Sequence, residues 1–417
     1  MELKRVVVTG LGALTPIGNT VRDFRDGLFG GVSGAAPITR FDASKFKTRF
    51  ACEVKDFNPQ DFMDRKEARK LDPFVHYALA STEEAVKDAN LEFDRLDTNR
   101  IGVIWGSGIG GLKTFLDEVS AFASGDGTPR YNPFFIPKMI LDIAPGHISM
   151  KYGLHGPNFS TVSACASSTN ALIDSLNYIR TGFADVIITG GSEAIINEAG
   201  IGGFNAMHAL STRNDNPATA SRPFDKDRDG FVAGEGAGTI ILESLEHAKA
   251  RGAKIYAELI GGGMSADAHH ITASHPEGLG ARLAMTNAMR DARVSSDEID
   301  YINVHGTSTP VGDISECKAI IELFGAHAYE LNISSTKSMT GHLLGAAGAA
   351  ESIACILAIQ EGRIPPTINH FTDDPNLDNR LNFTFNTSQE REVKYALSNT
   401  FGFGGHNATV VFKKFTE

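Results

Sequence analysis

Short, mostly apolar runs alternate along this chain with stretches in which apolar residues recur at helical spacing. Because few polar side chains interrupt the short runs, we expect strands that are covered on both faces, as in a sheet between helices. The runs that predict strands are residues 5–9, 101–105, 184–189, 239–242, 299–304 and 395–397. No Pro- or Ser-rich linker and no run of charges separates them, so the pattern predicts one continuous α/β body.

Two helical stretches have distinctive sequences. Asp72 followed by Pro73 is typical of a helix start, and the apolar residues after it keep helical spacing. Residues 338–359 resemble a membrane span, but His342 and Glu351 interrupt them, and Gly and Ala supply little transfer free energy. The sequence therefore predicts a buried helix of small residues in a soluble protein that does not bind membranes.

Two segments share one order of features. Residues 159–165 predict a strand and a tight turn that carries Cys165, followed by a helix of small residues. Residues 332–337 predict a second strand, which leads through a turn with His342 into the other small-residue helix. A duplicated fold with its functional site at the junction of the halves accounts for both segments.

Composition narrows the function classes. The chain has 417 residues, of which 42% are hydrophobic and 21% charged, as is typical of a folded globular protein. Its formal net charge of −11 argues against general binding to nucleic acid or to an anionic membrane. Four cysteines are too few and too scattered for a disulfide framework or a zinc site. The first residues contain no long apolar stretch, which predicts a cytoplasmic protein.

Three stretches imitate ligand-binding motifs and are interpreted as turns. Residues 10–12 follow a strand, but Thr15 stands where a dinucleotide fingerprint needs its third glycine. Residues 108–111 lack the Lys and the Ser or Thr of a phosphate-binding loop. Residues 225–230 begin like a calcium loop, but the twelfth position is Gly236, where a glutamate is required.

Cys165 lies where a strand is expected to turn sharply into a helix that begins near Asn170. A thiol at a helix N-terminus is close to the positive end of the helix dipole and to free N–H groups, which favours the thiolate. The alternative is an inert buried cysteine, which is our interpretation of Cys52, Cys317 and Cys355. Taken alone, the position of Cys165 leaves both interpretations open.

Two histidines favour the reactive interpretation. His305 and His342 each follow a predicted strand within a turn of Gly, Ser and Thr, where both imidazoles can donate to one pocket. The sequence GFGG at residues 402–405 can offer a backbone N–H beside a thiolate, as an oxyanion hole requires. These features together predict a nucleophilic cysteine.

The motifs resemble those of the β-ketoacyl-acyl-carrier-protein synthases. They are SACASS around Cys165, HGTSTP at His305, STKSMTGHLLGAAGA with Lys337 and His342, and NTFGFGGHN at residues 399–407. The resemblance covers essentially the whole chain, including VVVTGLGALTPIGN near the start and SRPFDKDRDGFVAGEGAG at residues 221–238. It is nearest to the type II synthases of the dissociated fatty-acid system, in which an isoleucine matching Ile109 lines the acyl pocket.

The resemblance implies a thiolase-like α/β fold, with two βα repeats in a five-layer α-β-α-β-α arrangement, and a homodimer. It places Cys165 and insertions for the dimer contact and the cap in residues 1–255, and the other catalytic residues in residues 256–417. The implied activity is that of a 3-oxoacyl-acyl-carrier-protein synthase. Cys165 would take an acyl group from acyl carrier protein as a thioester. Malonyl-carrier protein would then lose carbon dioxide, and its carbanion would attack the acyl carbonyl, which elongates the fatty acid by two carbons.

The resemblance also implies roles for single residues. The backbone N–H groups of Cys165 and Phe403 would form the oxyanion hole, while His305 and His342 donate to the malonyl thioester oxygen. Lys337, supported by Glu351, would polarise the site. The implied substrate-binding residues are Ile109, Thr272, Thr307, Phe401 and Phe403, and Phe403 is also the implied gate for long chains. No organic cofactor and no catalytic metal are implied, whereas a structural monovalent cation is compatible with the family.

Acyl carrier proteins are acidic, so an acidic enzyme must bind them through a local basic patch. The residues that match the family's docking positions are Lys66, Arg69, Lys70 and Arg130. Without the resemblance, the basic cluster at residues 65–70 would be interpreted as a solvated helix face. Tyr131 and His208 stand where the type II enzymes carry Lys and Arg, which predicts weaker or more pH-sensitive carrier binding. His406 replaces the commoner threonine, and no consequence is assigned to it.

The sequence leaves alternatives. A degradative thiolase uses a second, C-terminal cysteine as base, and Cys317 and Cys355 lie outside any matching motif. A relative that only decarboxylates would need Cys165 replaced, and a noncatalytic binding subunit would not need the cysteine, both histidines and the lysine together. A cysteine-dependent thioester hydrolase stays open, because a thiolate with an oxyanion hole also suits hydrolysis.

Overall fold

The structure is a computed structural model that describes residues 3–416. Its strands are β1 (Val6–Leu14), β2 (Ala36–Pro37), β3 (Phe50–Ala51), β4 (Ile101–Gly106), β5 (Asn158–Thr161), β6 (Val186–Glu193), β7 (Gly236–Ser244), β8 (Ala257–Ala266), β9 (Tyr301–Asn303), β10 (Asn332–Ser334), β11 (Arg363–Ile364), β12 (Gln389–Glu390), β13 (Tyr395–Gly402) and β14 (His406–Lys414). Its helices are α1 (Val21–Gly30), α2 (Arg65–Ala68), α3 (Pro73–Asp88), α4 (Leu112–Ala123), α5 (Phe135–Met139), α6 (Ile143–Tyr152), α7 (Ser167–Arg180), α8 (Glu198–Ala206), α9 (Leu245–Ala250), α10 (Leu279–Ala292), α11 (Gly312–Phe324), α12 (Lys337–Thr340) and α13 (Ala347–Glu361).

Ten of the strands form a mixed sheet made of two sets of five. The N-terminal set has the order β5-β4-β6-β7-β1, and the C-terminal set has the order β10-β9-β13-β14-β8. In each set the first three strands are parallel, and the last two are each antiparallel to the strand before them. The sets meet at a short antiparallel contact between β1 and β8. Because both sets have the same order and directions, the predicted duplication is confirmed.

Helices cover both faces of each set of strands. α7 and α13 form the middle layer: α7 contacts β4 and β6 of one set and β8 and β14 of the other, and α13 contacts β6, β7, β13 and β14. α3 covers one outer face, over β1, β6 and β7. α10 covers the other outer face, over β8 and β14, with α11 beside it. The predicted five-layer, thiolase-like arrangement is therefore confirmed.

The eight predicted strands are present as β1, β4, β5, β6, β7, β9, β10 and β13, whereas β8 and β14 of the ten-stranded sheet were not predicted. β8 contains Gly261, Gly262 and Gly263, and glycine weakens a strand pattern. A Cβ atom at Gly263 would lie 2.2 Å from the carbonyl oxygen of Ala284 in α10. The glycines are thus needed because a helix packs directly on the strand, which the pattern of apolar residues does not reveal.

One predicted helix start is right and another is wrong by three residues. α3 begins at Pro73, and the Asp72 carboxylate accepts the N–H of Phe74 at 3.3 Å. α7 begins at Ser167, not near Asn170, and a 3-10 turn (Ala164–Ala166) precedes it. The helix starts early because the Ser167 hydroxyl donates to the carbonyl of Ala164 at 2.7 Å and closes the turn.

Residues 338–359 form a short helix and a long one, with a turn at Gly341 and His342 between them. Within residues 3–416, one stretch, Leu344–Glu361, is long and apolar enough to cross a membrane, but 89% of it lies inside the protein. The small residues of α13 allow close packing in the middle layer, since a Cβ atom at Gly348 would lie 2.0 Å from the Thr169 hydroxyl of α7. The predicted buried helix of small residues is confirmed.

The calcium-like stretch at residues 225–230 is a structural loop. Asp225 accepts the backbone N–H groups of Phe371 and Thr372 at 2.7 and 2.9 Å. Arg228 pairs with Asp313 at 3.4 Å and with Asp374 at 2.6 Å. The charged side chains of this stretch are therefore paired with groups of the protein itself, in agreement with the interpretation as a turn.

Candidate active site

Cys165 lies in the 3-10 turn that joins β5 to α7. The preceding residue, Ala164, has a positive φ of 51°, which reverses the chain sharply before the helix. Gly402, at the end of β13, packs against this turn: a Cβ atom there would lie 2.6 Å from the carbonyl oxygen of Ser163. The absence of a side chain at Gly402 therefore lets the C-terminal half reach the cysteine.

The turn opens into a cavity of about 540 Å³. It brings together all of the predicted catalytic and substrate-binding residues except Lys337. Those that line it are Ile109, Cys165, Thr272, Thr307, His305, His342, Phe401 and Phe403. The lining comes from both halves of the chain, so the cavity lies at their junction, where the sequence placed the site.

His342 is held by two contacts of opposite kind. Its Nε2 lies 3.1 Å from the sulfur of Cys165, and its Nδ1 accepts the backbone N–H of Leu344 at 3.3 Å. A neutral imidazole carries one proton, and an accepting Nδ1 places that proton on Nε2. His342 therefore presents an N–H donor to the cavity beside the cysteine.

His305 follows β9 and faces the same space. Its ring centre lies 5.3 Å from that of His342, with the ring planes at 84°. The buried carboxylate of Glu316 in α11 accepts the backbone N–H groups of His305 and Gly306 at 3.0 and 2.9 Å. Phe401 contacts the other side of the His305 ring, at 5.6 Å between centres. These contacts fix both the backbone and the ring plane of His305.

Burial and the charge of Lys337 shift the pKa values of the cysteine and of the two histidines. Burial raises the pKa of Cys165 to about 12, although the charge of Lys337 and the backbone N–H of Phe403 oppose this shift. Burial and Lys337 hold the pKa values of His305 and His342 well below their usual range. Desolvation therefore opposes the thiolate that the helix dipole favours, and a resting thiolate stays a prediction.

Lys337 and Glu351 form an ion pair beneath the site. Their side chains are 1% and 3% exposed, and neither lines the cavity. Lys337 nevertheless affects the pKa of Cys165 and of both histidines through its charge. The structure thus places this predicted pair behind the reacting groups, and its supporting role stays a prediction.

The GFGG loop forms one wall of the cavity. The N–H of Phe403 points to the sulfur of Cys165, and the Phe403 ring lies 6.5 Å from that of Phe204. The N–H of Gly404 donates to the carbonyl of Ile271 at 2.7 Å, which ties the loop to the segment before Thr272. A neighbouring loop therefore holds this N–H beside the cysteine, and its role in an oxyanion hole stays a prediction.

The other cysteines lie apart from the cavity. Cys355 belongs to the central core and Cys317 to the core between α10, α11 and the C-terminal strands. Cys52 is buried beside Gly341 but does not line the cavity. No second cysteine in the described part of the chain can act as the base of a degradative thiolase.

Family comparison agrees with this geometry. Residues 3–248 match the model of the β-ketoacyl synthase N-terminal domain, and residues 256–371 match that of the C-terminal domain. The chain belongs to the β-ketoacyl synthase family. The resemblance that the motifs predicted is thus confirmed.

The similarity to known proteins covers the full length of this β-ketoacyl synthase. A Synechocystis protein named 3-oxoacyl-[acyl-carrier-protein] synthase 2 is 50% identical over 415 residues, which cover 100% of this chain and 99% of that protein. The ishigamide ketosynthase/chain length factor structure has a TM-score of 0.92 and 36% identity, covering 99% and 100% of the two chains. A type II polyketide synthase ketosynthase in complex with its acyl-carrier protein has a TM-score of 0.90 and 33% identity, with the same coverage.

Two buried glutamates at the site were not found from the sequence of this synthase. Glu316 holds the backbone of His305, and Glu193, at the end of β6, accepts hydrogen bonds from the loop that carries Ile109. Burial raises the pKa of Glu316 to about 7. No signal in the sequence was available for either residue, because both accept backbone N–H groups from segments that are remote along the chain or not specific in sequence.

The cavity also contains a possible metal-ligand set. The sulfur of Cys165 and ring nitrogens of His305 and His342 lie within 4.8 Å of one another. The charge of Lys337 acts on all three groups and opposes a divalent cation there. We therefore assign no metal to the catalytic centre of this synthase.

The monovalent cation that is compatible with the family stays a prediction. Nine buried side-chain oxygens lack a hydrogen-bond partner within residues 3–416, and four of them belong to neighbouring elements: Asn303 (Oδ1), Glu351 (Oε2), Ser352 (Oγ) and Ser398 (Oγ). Asn303 and Ser398 face each other across β9 and β13, and α13, which carries the other two, contacts both strands. Oxygen atoms without donors suit a hard cation.

The predicted carrier-docking residues lie on two separate segments. Lys66 and Arg69 are exposed in and beside α2, and Lys70 pairs with Glu67 at 2.6 Å. Lys138, which the sequence analysis missed, reaches the carbonyl of Arg69 at 3.4 Å and adds a positive charge. Arg130 lies in the segment after α4 and pairs with Asp126 at 3.2 Å.

The three departures from the family pattern have different surroundings. The Tyr131 ring packs between those of Phe122 and Phe135, at 5.6 and 5.4 Å between centres. His208 lines the mouth of the cavity. The His406 ring lies over Gly404, where an added Cβ atom would come within 2.8 Å of its Nε2.

Proposed function

We propose that this synthase joins an acyl group on Cys165 to a malonyl thioester and releases carbon dioxide. The contacts of His342 carry the proposal, because its Nδ1 accepts from Leu344 while its Nε2 faces the cysteine at 3.1 Å. A ring held this way donates from Nε2. Donation to the malonyl thioester oxygen is what decarboxylation needs, since negative charge develops on that oxygen.

In the first stage, the sulfur of Cys165 attacks the carbonyl carbon of an acyl thioester on a carrier. The bond from that carbon to Cys165 forms, the bond to the carrier thiol breaks, and the carrier thiolate takes up the proton that Cys165 gives. Because burial raises the pKa of Cys165 to about 12, proton loss must accompany the attack. The charge of Lys337 and the N–H of Phe403 stabilise the negative charge that develops.

In the second stage, the malonyl carbon–carbon bond breaks and carbon dioxide leaves. The electron pair passes to the thioester as an enolate, whose oxygen accepts from His305 and His342. The enolate carbon then attacks the acyl carbonyl, the new carbon–carbon bond forms, and Cys165 leaves as a thiolate that takes a proton from water. The product is a 3-oxoacyl thioester that is two carbons longer.

The tautomer of His342 also bears on the rival hydrolase. Hydrolysis needs a base that removes a proton from water. His342 presents an N–H to the cavity, and its other nitrogen already accepts from Leu344. This arrangement argues against hydrolysis with His342 as the base.

The test is a reaction with purified acyl- and malonyl-carrier protein, followed by mass analysis and a count of carbon dioxide. We expect one carbon dioxide for each 3-oxoacyl product. Release of free fatty acid without carbon dioxide would show a hydrolase, and carbon dioxide without a longer product would show a simple decarboxylase.

We also propose acyl carrier protein as the partner and fatty-acid elongation as the setting. The name of the Synechocystis relative and the carrier-bound ketosynthase structure support this proposal. The exposed cations of Lys66 and Arg69 supply charge complementary to an acidic carrier, and His208 lies at the cavity mouth.

Reversal of Lys66 and Arg69 to Glu tests the docking patch. We expect KM for carrier-bound substrates to rise roughly tenfold at low salt and less at high salt, because exposed charges are screened. Pantetheine-bound substrates, which lack a protein surface, should be used as well as by the wild type. Lys249→Glu is the matched control, since α9 follows the end of β7 that is remote from Glu193. Equal loss with both substrate types would contradict docking at this patch.

The open edge of β5 supports a homodimer. β5 ends the N-terminal set of strands, and its residues and the following Val162 are partly or fully exposed. An exposed edge strand can pair with a second copy of itself. We expect a solution mass of twice 44.7 kDa, and a monomer at micromolar concentration would contradict the proposal.

The fold also supports the proposed division into residues 1–255 and 256–417. β7 completes the N-terminal set of strands, α9 follows it, and β8 begins the C-terminal set at Ala257.

The monovalent cation is a further proposal, for which the oxygens of Asn303 and Glu351 would be ligands. Replacing potassium with a bulky organic cation should lower the melting temperature if such a site exists. A location in the cytoplasm stays a prediction.

A further inference from the structure

Glu193 is a fully buried carboxylate that contacts two separate parts of the site. Its Oε1 accepts the N–H groups of Ile109 and Gly110, each at 3.1 Å, and the hydroxyl of Ser107 at 3.2 Å. Its Oε2 accepts the N–H of Gly108 at 2.8 Å and that of Gly345 at 3.0 Å. Burial raises the pKa of Glu193, but all five of these partners are donors, and they favour the ionised carboxylate.

The first part is the loop of residues 107–110, which carries Ile109 into the cavity. Three consecutive backbone N–H groups of this loop converge on the two oxygens of Glu193. A loop held by three charge-assisted hydrogen bonds has little freedom to shift. Glu193 therefore fixes the height of the Ile109 side chain in the cavity.

The second part is the turn at Leu344 and Gly345. The N–H of Gly345 donates to Glu193, and the N–H of the preceding Leu344 donates to Nδ1 of His342. Because the two N–H groups belong to neighbouring residues, the bond to Glu193 also orients the one that sets the His342 tautomer. The turn packs tightly against the loop, since a Cβ atom at Gly345 would lie 2.2 Å from the nitrogen of Gly108.

We infer that Glu193 is a positioning residue that holds the acyl-pocket loop and the His342 turn in one fixed relation. It touches no reacting atom. Its hydrogen bonds join the two halves, because the loop belongs to the N-terminal half and the turn to the C-terminal half. The inference rests on the proposed condensing function, and it makes chain-length selection and malonyl decarboxylation depend on one buried carboxylate.

Glu193→Gln tests the inference, because glutamine has the same shape but only one accepting oxygen. If its NH₂ replaces Oε2, it faces the N–H groups of Gly108 and Gly345, and if it replaces Oε1, it faces those of Ile109 and Gly110. Either orientation releases one of the two parts. We expect at least one of two rates to fall roughly tenfold or more, since hydrogen bonds to a charged group are among the stronger ones in proteins. The two rates are long-chain acylation of Cys165 and carbon dioxide release from malonyl-carrier protein.

Glu84→Gln is the matched control. Glu84 accepts two backbone N–H groups from separate segments, those of Ala13 and Val21, both at 2.8 Å, and does not line the cavity. It should lower stability without changing the ratio of long-chain to short-chain acylation or the ratio of acylation to decarboxylation. Equal changes in all rates for Glu193→Gln, as for this control, would reduce Glu193 to a structural residue and overturn the inference.

A spectroscopic measurement of the His342 tautomer tests the inference independently of the rates. Nitrogen-15 shifts of His342 should show the Nε2–H form in the wild type, and a mixture of tautomers in the variant if the turn is released.

If Glu193→Gln does not fold, Glu193→Asp retains the charge but is one methylene too short to reach both parts. It should lose one of the two rates, and retention of both would overturn the inference. A wild type that does not condense would refute the proposed function, whereas an active wild type with an unchanged variant would refute only this inference.

Discussion

The turns before α7 and α13 hold equivalent positions in the two halves but do different work. Each is a 3-10 turn whose first residue has a left-handed backbone, Ala164 with φ 51° and Leu344 with φ 49°. The next residue is Cys165 in one turn and Gly345 in the other. The cysteine faces the cavity, whereas the glycine packs against the neighbouring loop at Gly108.

The difference shows how a duplicated backbone acquires two functions. The left-handed residue reverses the chain at the start of a middle-layer helix in both halves, so the geometry itself is shared. In the N-terminal half it exposes a nucleophile. In the C-terminal half it turns two N–H groups inward, one to His342 and one to Glu193. One turn therefore supplies the reacting atom, and its counterpart supplies the alignment.

Cys165→Ala removes the nucleophile from the turn before α7 and has the largest expected effect. Loss of the nucleophile should lower condensation by at least roughly 10³-fold, with little change in melting temperature. Intact mass after incubation with acyl-carrier protein should show no adduct. Cys317→Ala, a core cysteine away from the cavity, is the control and should still form it. An adduct on Cys165→Ala would move the nucleophile elsewhere.

Substitution of the histidines separates the two stages. We expect His305→Ala or His342→Ala to lower carbon dioxide release by roughly 10²-fold or more, because each removes a donor to the enolate oxygen. Acylation of Cys165 should retain much of its rate, since it does not need that oxygen to be stabilised. Parallel assays of adduct formation and carbon dioxide release measure both. A variant that decarboxylates normally would remove that histidine from the mechanism.

Gly345→Ala tests the counterpart of Cys165 on the structural side. The new methyl group would overlap the nitrogen of Gly108, so the free energy of unfolding should fall by about 1–3 kcal/mol. Gly203→Ala is the control, because no atom lies within 4 Å of an added Cβ atom there. Denaturant unfolding of both variants measures the difference. A Gly345→Ala protein as stable as the control would show that this turn has room to move.

Ile109→Phe has the smallest expected effect, because it touches only long substrates. Ile109 lines the cavity and a larger ring should overlap a long acyl chain, lowering its condensation by roughly tenfold. Short chains should react as before, and Ile109→Ala should still accept long ones. The measurement is the condensation rate against acyl length for the three forms. An equal loss for short and long chains would show that Ile109 does not line the acyl path.

Much of the fold was predictable because apolar runs and small-residue helices are local patterns. β8 was missed because its three glycines record a contact with α10 rather than a strand preference. In the site, the motifs pointed to Cys165, His305 and His342, and the cavity brings them together. The raised pKa of the Cys165 thiol was not predictable, since it depends on burial depth. Glu193 and Glu316 were missed because each acts on backbone N–H groups, which leave no trace in the sequence.

The two outer edges of the sheet differ in a way that limits assembly. β10 is closed by its own chain, where the N–H of Ile333 donates to the carbonyl of Asn382 at 2.8 Å, whereas β5 ends the sheet with an exposed strand. If two copies pair through β5, the combined sheet has a sealed strand at each end. Growth through this sheet would then be self-terminating, because a third copy would find no open edge of the ten-stranded sheet to extend.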